Sequence, residues 1–128
     1  MITGKYPNLR LRRSRKESWS RRLIQENTLS ASDFILPIFI IDGLNKREQI
    51  ASMPGVYRYT INRLAQVVDR AVKTEIPMFA LFPQIKKHLQ NDMCTEALNE
   101  NNLVCKALLE IQTTYKNQIG IMCDVALA

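Results

Sequence analysis

The sequence has no apolar run long enough to cross a membrane as a helix. Its longest, "FILPIFII" from Phe34 to Ile41, is eight residues, whereas a spanning helix needs about 20. The N-terminus, "MITGKYPNLRLRRSRK", lacks the apolar centre of a secretory signal. Cysteine is scarce. Cys94, Cys105 and Cys123 are odd in number and widely spaced, which argues against a disulfide framework and fits the reduced thiols of a cytoplasmic protein. Together with His88, the lone histidine, they have no spacing of a tetrahedral zinc site. No glycine-rich nucleotide loop follows the first strand-like segment.

What the sequence does have is charge placed unevenly. Of the net +6, residues 1–22 hold eight Lys or Arg against one Glu, a net +7, and the remainder totals −1. The body is nearly neutral, and the excess sits in a basic arm at residues 1–30. Arg10, Arg12, Arg13, Arg15 and Lys16 could meet nucleic-acid phosphates, stand in solvent, or dock on an acidic face of another subunit. No zinc-finger or helix-turn-helix spacing follows the arm. Tyr6, Pro7, Leu9, Leu11 and Trp19 are apolar anchors that a solvated tail does not need, which favours docking.

The body has the length of one domain and, at 46% hydrophobic residues, enough apolar side chains for a core. Trp19 and Leu23 predict a short helix over about residues 17–25. "FILPIFII" is apolar on both faces, the pattern of a parallel strand covered on both sides. Pro37 removes a ladder donor, so a bulge, or a ladder starting after it, is expected. Residues 42–59 show no period and read as a long loop containing a Met53-Pro54-Gly55 turn. Thr60 is the expected cap of a helix carrying Ile61, Leu64, Val67, Val68, Ala71 and Val72. "IPMFALFP" is a second apolar strand, stopped by Pro83. Asn99 is the expected cap of a helix carrying Leu103, Val104, Ala107, Leu108 and Ile111. "IGIMCDVAL" is the third strand. Apolar strands alternating with such helices make a parallel α/β sheet. Two architectures fit: a small doubly wound sheet, or the first three strands of a (β/α)8 barrel over residues 31–128, whose open edges would need a cover.

Barrel enzymes gather their chemistry at the carboxyl ends of the strands. Asp124 stands at such an end, where a carboxylate can hold an amine or a proton-transfer partner, or simply cap a turn. Cys123 precedes it and faces the opposite way, toward the helices, as a small buried hydrophobe. Phe82 ends the second strand and either lines a pocket or belongs to the core. Arg58, beside a rigid turn, is the candidate for a fixed ion pair. Lys86 and Lys87 either hold an anionic substrate or keep a loop soluble, and Lys73 and Lys106 read as solvent-facing. None of these residues would run a reaction unaided, since no lysine sits in an apolar run that would lower its pKa for Schiff-base chemistry.

In order along the chain, "RLRR", "LPIFI", "IASMPGVYRYTIN", "IPMFALFP" and "DVAL" resemble the N-terminal part of the porphobilinogen synthase (delta-aminolevulinic acid dehydratase) family. The likeness runs from about Leu9 to Ala128. It implies a TIM barrel with an N-terminal arm that wraps a neighbouring subunit in a cytoplasmic homo-octamer, and no nucleic-acid or membrane partner. The implied reaction condenses two molecules of 5-aminolevulinate into porphobilinogen, a step of tetrapyrrole and haem synthesis. Two barrel lysines carry it, at least one as a Schiff base, and both belong to later strands. By this resemblance Asp124 is an active-site carboxylate in a supporting role and Phe82 a wall of the substrate pocket. Arg10, Arg12, Arg13 and Trp19 belong to the assembly arm.

The resemblance also bears on metal. Zinc-using members carry cysteines at the positions of Ala126 and Ala128, and alanine has no donor atom. No cysteine-type zinc site is therefore expected. Magnesium is the metal considered for a full-length protein, and none is expected for residues 1–128. Without the later lysines these residues are expected to be inactive alone. The alternative is a non-catalytic α/β fragment that acts only through protein association.

Overall fold

The computed structural model describes residues 4–125. Five strands form its sheet: β1 (Ile35–Ile40), β2 (Arg47–Gln49), β3 (Tyr57–Tyr59), β4 (Met78–Pro83) and β5 (Gly120–Cys123). Their spatial order is β2-β3-β1-β4-β5. All are parallel except β2, which runs antiparallel to β3. Helix α1 (Ser18–Leu23) belongs to the arm, α2 (Ala65–Lys73) connects β3 to β4, and α3 (Leu103–Tyr115) connects β4 to β5.

Strand alternation decides which side of the sheet is covered. Ile38 and Ile40 of β1 and Phe79 and Leu81 of β4 are buried against Val67, Val68 and Ala71 of α2 and Val104, Ala107 and Ile111 of α3. The residues between them point the other way. Ile35, Pro37 and Phe39, with Met78, Ala80 and Phe82, and with Met122, line a second apolar face. Neither α2 nor α3 reaches it, and Ile35 and Met122 are about half exposed, at 49% and 47%. Among the described residues "FILPIFII" is covered on one side only, because both connecting helices pack on the same face.

Pro37 causes no bulge. The β1–β4 register is unbroken from Ile35↔Met78 to Ile40↔Pro83, with Pro37 opposite Ala80. The N–H of Ile41 donates to Tyr59 O, so odd-numbered nitrogens of β1 face β3, away from β4. The pairing with β3 begins only at Phe39. The missing donor of Pro37 therefore falls on an unpaired stretch of edge, where it removes no ladder bond.

Residues 42–59 are not a single loop, because they contain the β2–β3 hairpin. Arg47, Glu48 and Gln49 stand opposite Tyr59, Arg58 and Tyr57. The Arg47 guanidinium lies 3.6 Å from the Tyr57 ring centroid, a contact that favours this cross-strand pairing. Thr60 belongs to the hairpin too. Its hydroxyl accepts from the Lys46 N–H at 3.0 Å and lies 2.8 Å from Asn62 Oδ1. Thr60 therefore makes no side-chain cap, and a short 3-10 turn at Ile61–Arg63 precedes α2 instead. At α3 the cap is Asn102, whose side-chain oxygen accepts from Cys105 N–H at 2.8 Å. Asn99, the expected cap, receives the Asn101 N–H one turn earlier.

Candidate active site at the carboxyl ends of the strands

One row of residues crosses the uncovered face at its carboxyl-terminal rim. The registers place Glu48 opposite Arg58, Arg58 opposite Phe39, and Phe39 opposite Phe82. The β4–β5 register runs to Leu81↔Cys123, and Asp124 continues it by donating its N–H to Leu81 O at 3.0 Å. Asp124 therefore takes the place beside Phe82, at the far end of the row. The Phe39 and Phe82 rings are tilted by 30°, with centroids 5.5 Å apart, and form an aromatic floor between Arg58 and Asp124. A cation, two rings and a carboxylate thus share one side of the sheet, although the hairpin that contributes Arg58 shows no strand period in sequence.

Asp124 and Cys123 part company here, as alternation requires. Cys123 packs against the helix-side core, and that burial, with Cys105 nearby, pushes its thiol pKa up. A raised pKa keeps the thiol protonated and makes it a poor nucleophile or metal ligand. The carboxylate of Asp124 accepts no hydrogen bond among the described residues and faces the uncovered side. Arg58 also has no ion-pair partner among the described residues. Glu48, directly across from it, instead lines a hollow with Asp42, Gln84 and Lys86.

The one described ion pair is Lys86 Nζ to Asp42 Oδ2 at 2.5 Å. It joins the segments that follow β4 and β1 on this same rim. The Lys86 hydrogen bond, then the Gly43 N–H, holds the Asp42 carboxyl below its ordinary range. Lys86 is thus occupied by an internal anion. His88 is exposed in a 3-10 turn at Lys87–Leu89.

The arm residues do not join this row. Arg10, Arg12 and Arg13 are exposed, and Arg10 lies over Tyr6 with 5.6 Å to the ring centroid. Trp19 is 62% exposed. No group of three or more His, Cys, Asp or Glu among the described residues is placed to hold a metal ion. Ala126 and Ala128 lie outside the described residues.

The family model for delta-aminolevulinic acid dehydratase matches residues 8–128. A relative of that name from Bradyrhizobium diazoefficiens is 49% identical over 119 residues, which are 93% of this chain and 33% of the relative. One from Methanothermus sociabilis is 45% identical over 96% of this chain and 37% of its own length. The crystal structure of delta-aminolevulinic acid dehydratase (porphobilinogen synthase) from Toxoplasma gondii, in complex with the reaction product porphobilinogen, superposes with a TM-score of 0.82. It shares 33% identity and covers 93% of this chain and 33% of its own. The chain spans about a third of the length of these relatives. Strands β1, β4 and β5 and their connecting helices are accordingly part of a barrel. The chain belongs to the delta-aminolevulinic acid dehydratase family, of whose members it represents an N-terminal portion.

Proposed function

We propose that the chain forms the N-terminal third of a porphobilinogen synthase, which condenses two molecules of 5-aminolevulinate into porphobilinogen with loss of water. The observation that carries this reading is the placement of Asp124 and Phe82, side by side on the uncovered face at the carboxyl ends of β5 and β4. That is where barrel enzymes assemble their sites. Asp124 supplies a carboxylate that orients an ammonium or iminium nitrogen and can hold its proton. Phe82, with Phe39, supplies a wall that excludes water and so strengthens the electrostatics inside. The Schiff-base lysines come from later strands, and residues 1–128 have no turnover alone.

The arm serves assembly. Its net positive charge and the exposed Tyr6, Leu11, Trp19 and Leu23 suit a neighbouring subunit, with Arg10, Arg12, Arg13 and Trp19 as the contacts, in a cytoplasmic homo-octamer. The metal of the full-length protein is not a thiolate-held zinc, since Ala126 and Ala128 offer no donor. Magnesium, a hard ion that takes oxygen ligands, is the metal proposed for the full-length protein, although of the alanine and aspartate found at these positions in members without the cysteines only the alanine is matched, at Ala126, and Ala128 departs from the pattern.

The test joins residues 1–128 to the remaining two thirds of the Bradyrhizobium relative and measures porphobilinogen formed from 5-aminolevulinate. The chimera is expected to turn over, its Asp124→Asn variant to lose at least about a hundredfold in kcat, and residues 1–128 to yield no product. A well-folded chimera without activity, or one indifferent to Asp124→Asn, would overturn the assignment.

A further inference from the structure

We propose that the Asp42–Gly43 bond is a covalent modification site, where the aspartate rearranges to isoaspartate, and that Lys86 is the residue that slows the rearrangement. Asp42 alone among the aspartates precedes a glycine. The bond lies just past β1, and the side chain of Asp42 is 59% exposed. Its carboxylate is folded back on its own chain, with the Gly43 N–H donating to Oδ1 at 2.9 Å. That contact brings the carboxyl carbon toward the nitrogen that attacks it, and such proximity lowers the ordering cost of ring closure. Gly43 has no side chain to shield its nitrogen. Its φ of +125° also favours glycine, so the loop retains the reactive pair.

The chemistry needs no reagent but water. The Gly43 nitrogen bonds to Asp42 Cγ and closes a five-membered succinimide. The Cγ–OH bond of the protonated carboxyl breaks, and the hydroxyl leaves as water with the amide proton. Water then adds to one of the two ring carbonyls. Opening the bond from nitrogen to the side-chain carbonyl restores aspartate. Opening the bond to the main-chain carbonyl leaves the chain running through Cγ, as isoaspartate. The carboxylic acid is the reactive form, because a carboxylate is a poor electrophile. Lys86 Nζ, 2.5 Å from Oδ2, opposes protonation. Its hydrogen bond, then that of the Gly43 N–H, holds the Asp42 carboxyl below its ordinary range. The other charged groups around Asp42 are Glu48, Glu96 and Lys106, which share hollows with it, and Lys46, beside Gly43. Of the cations, Lys86 is the one in contact.

The test ages the 128-residue chain at neutral pH and counts isoaspartate at position 42. Electron-transfer fragmentation of the derived peptides distinguishes the two isomers, which have equal mass. Methyl transfer from S-adenosylmethionine by an isoaspartyl methyltransferase gives an independent count. Isoaspartate is expected at Asp42 ahead of Asp33, Asp69, Asp92 and Asp124. Lys86→Met should raise its rate of formation at least about threefold, with an otherwise unchanged backbone spectrum. Lys86→Arg, which keeps the cation, should stay near the parent. Asp42→Glu, which would need a six-membered ring, should remove the signal. A rate at Asp42 no higher than at the other aspartates, in the parent and Lys86→Met alike, overturns the inference. Equal rates in the parent and Lys86→Met overturn it too, as does a Lys86→Arg variant as fast as Lys86→Met, which would point to a loosened loop rather than a lost charge.

Discussion

The phenolic hydroxyl of Tyr115, at the end of α3, donates to Asp69 Oδ1 of α2 at 2.6 Å and lies 3.3 Å from the Ala65 carbonyl oxygen. The two connecting helices are thereby pinned to each other as well as to the sheet. Burial, then the Asp69 carboxylate, pushes the Tyr115 pKa up to about 12. A folded value above the unfolded one, near 10, means that this group's contribution to stability is complete below pH 10 and is lost as pH rises toward 12. Tyr115→Phe is expected to cost about 1 kcal/mol at neutral pH and to flatten the loss of stability between pH 10 and 12. Urea unfolding of both proteins across that range checks it, and an unchanged slope in the variant would assign the alkaline loss to other groups.

Asn102 and Asn99 offer a paired comparison. Asn102 is buried and caps α3 through Cys105 N–H, while Asn99 is exposed and holds a turn. Asn102→Ala is expected to destabilise by about 1 kcal/mol and Asn99→Ala by less than half of that. Thermal unfolding of the two variants measures the difference, and equal shifts would contradict the capping assignment.

These two asparagines also show where the sequence was legible and where it was not. Both satisfy the composition rule for a cap, and only the three-dimensional start of α3 chooses between them. The opposite facing of Cys123 and Asp124 was readable, because strand alternation needs only neighbours along the chain. The partnership of Phe82 with Phe39 was not, since it depends on β4 lying beside β1 in register. The hairpin escaped because three-residue strands are too short to display a period, and its signal is the cross-strand contact of Arg47 with Tyr57. The position of Arg58 in the row shared with Asp124 was consequently not legible, since only the hairpin carries it there.

The Asp42–Lys86 pair is exposed on both sides, with side-chain accessibilities of 59% and 54%, so its contribution is screened by solvent. Lys86→Met is expected to change stability at neutral pH by less than about 1 kcal/mol. Because the folded pKa of Asp42 is lowered, chiefly by the Lys86 hydrogen bond, its contribution is present above the unfolded carboxylate pKa. It is lost as pH falls through the folded value. Carboxyl carbon chemical shifts should show Asp42 titrating at higher pH in Lys86→Met than in wild type, and coincident curves would mean that the pair does not persist in solution.

Leu81 and Phe82 are adjacent in β4 and should respond in opposite ways to truncation. Leu81 is fully buried among the helix-side core residues, and Leu81→Ala should cost about 2–5 kcal/mol through lost transfer energy and a residual cavity. Phe82 lies on the uncovered face, where its ring pairs with that of Phe39. Phe82→Ala should cost only about 1 kcal/mol in the isolated chain, the scale of one aromatic pair. In the chimera the order is expected to reverse for catalysis: on the proposed role of Phe82 as a pocket wall, Phe82→Ala should lower kcat/KM in a protein that remains folded. Leu81→Ala lowers the folded fraction and leaves the kcat/KM of the folded molecules near that of the parent. Denaturant midpoints and active-site-normalised rates for both variants decide it, and a Phe82→Ala chimera with full activity would move the substrate off this face of the sheet.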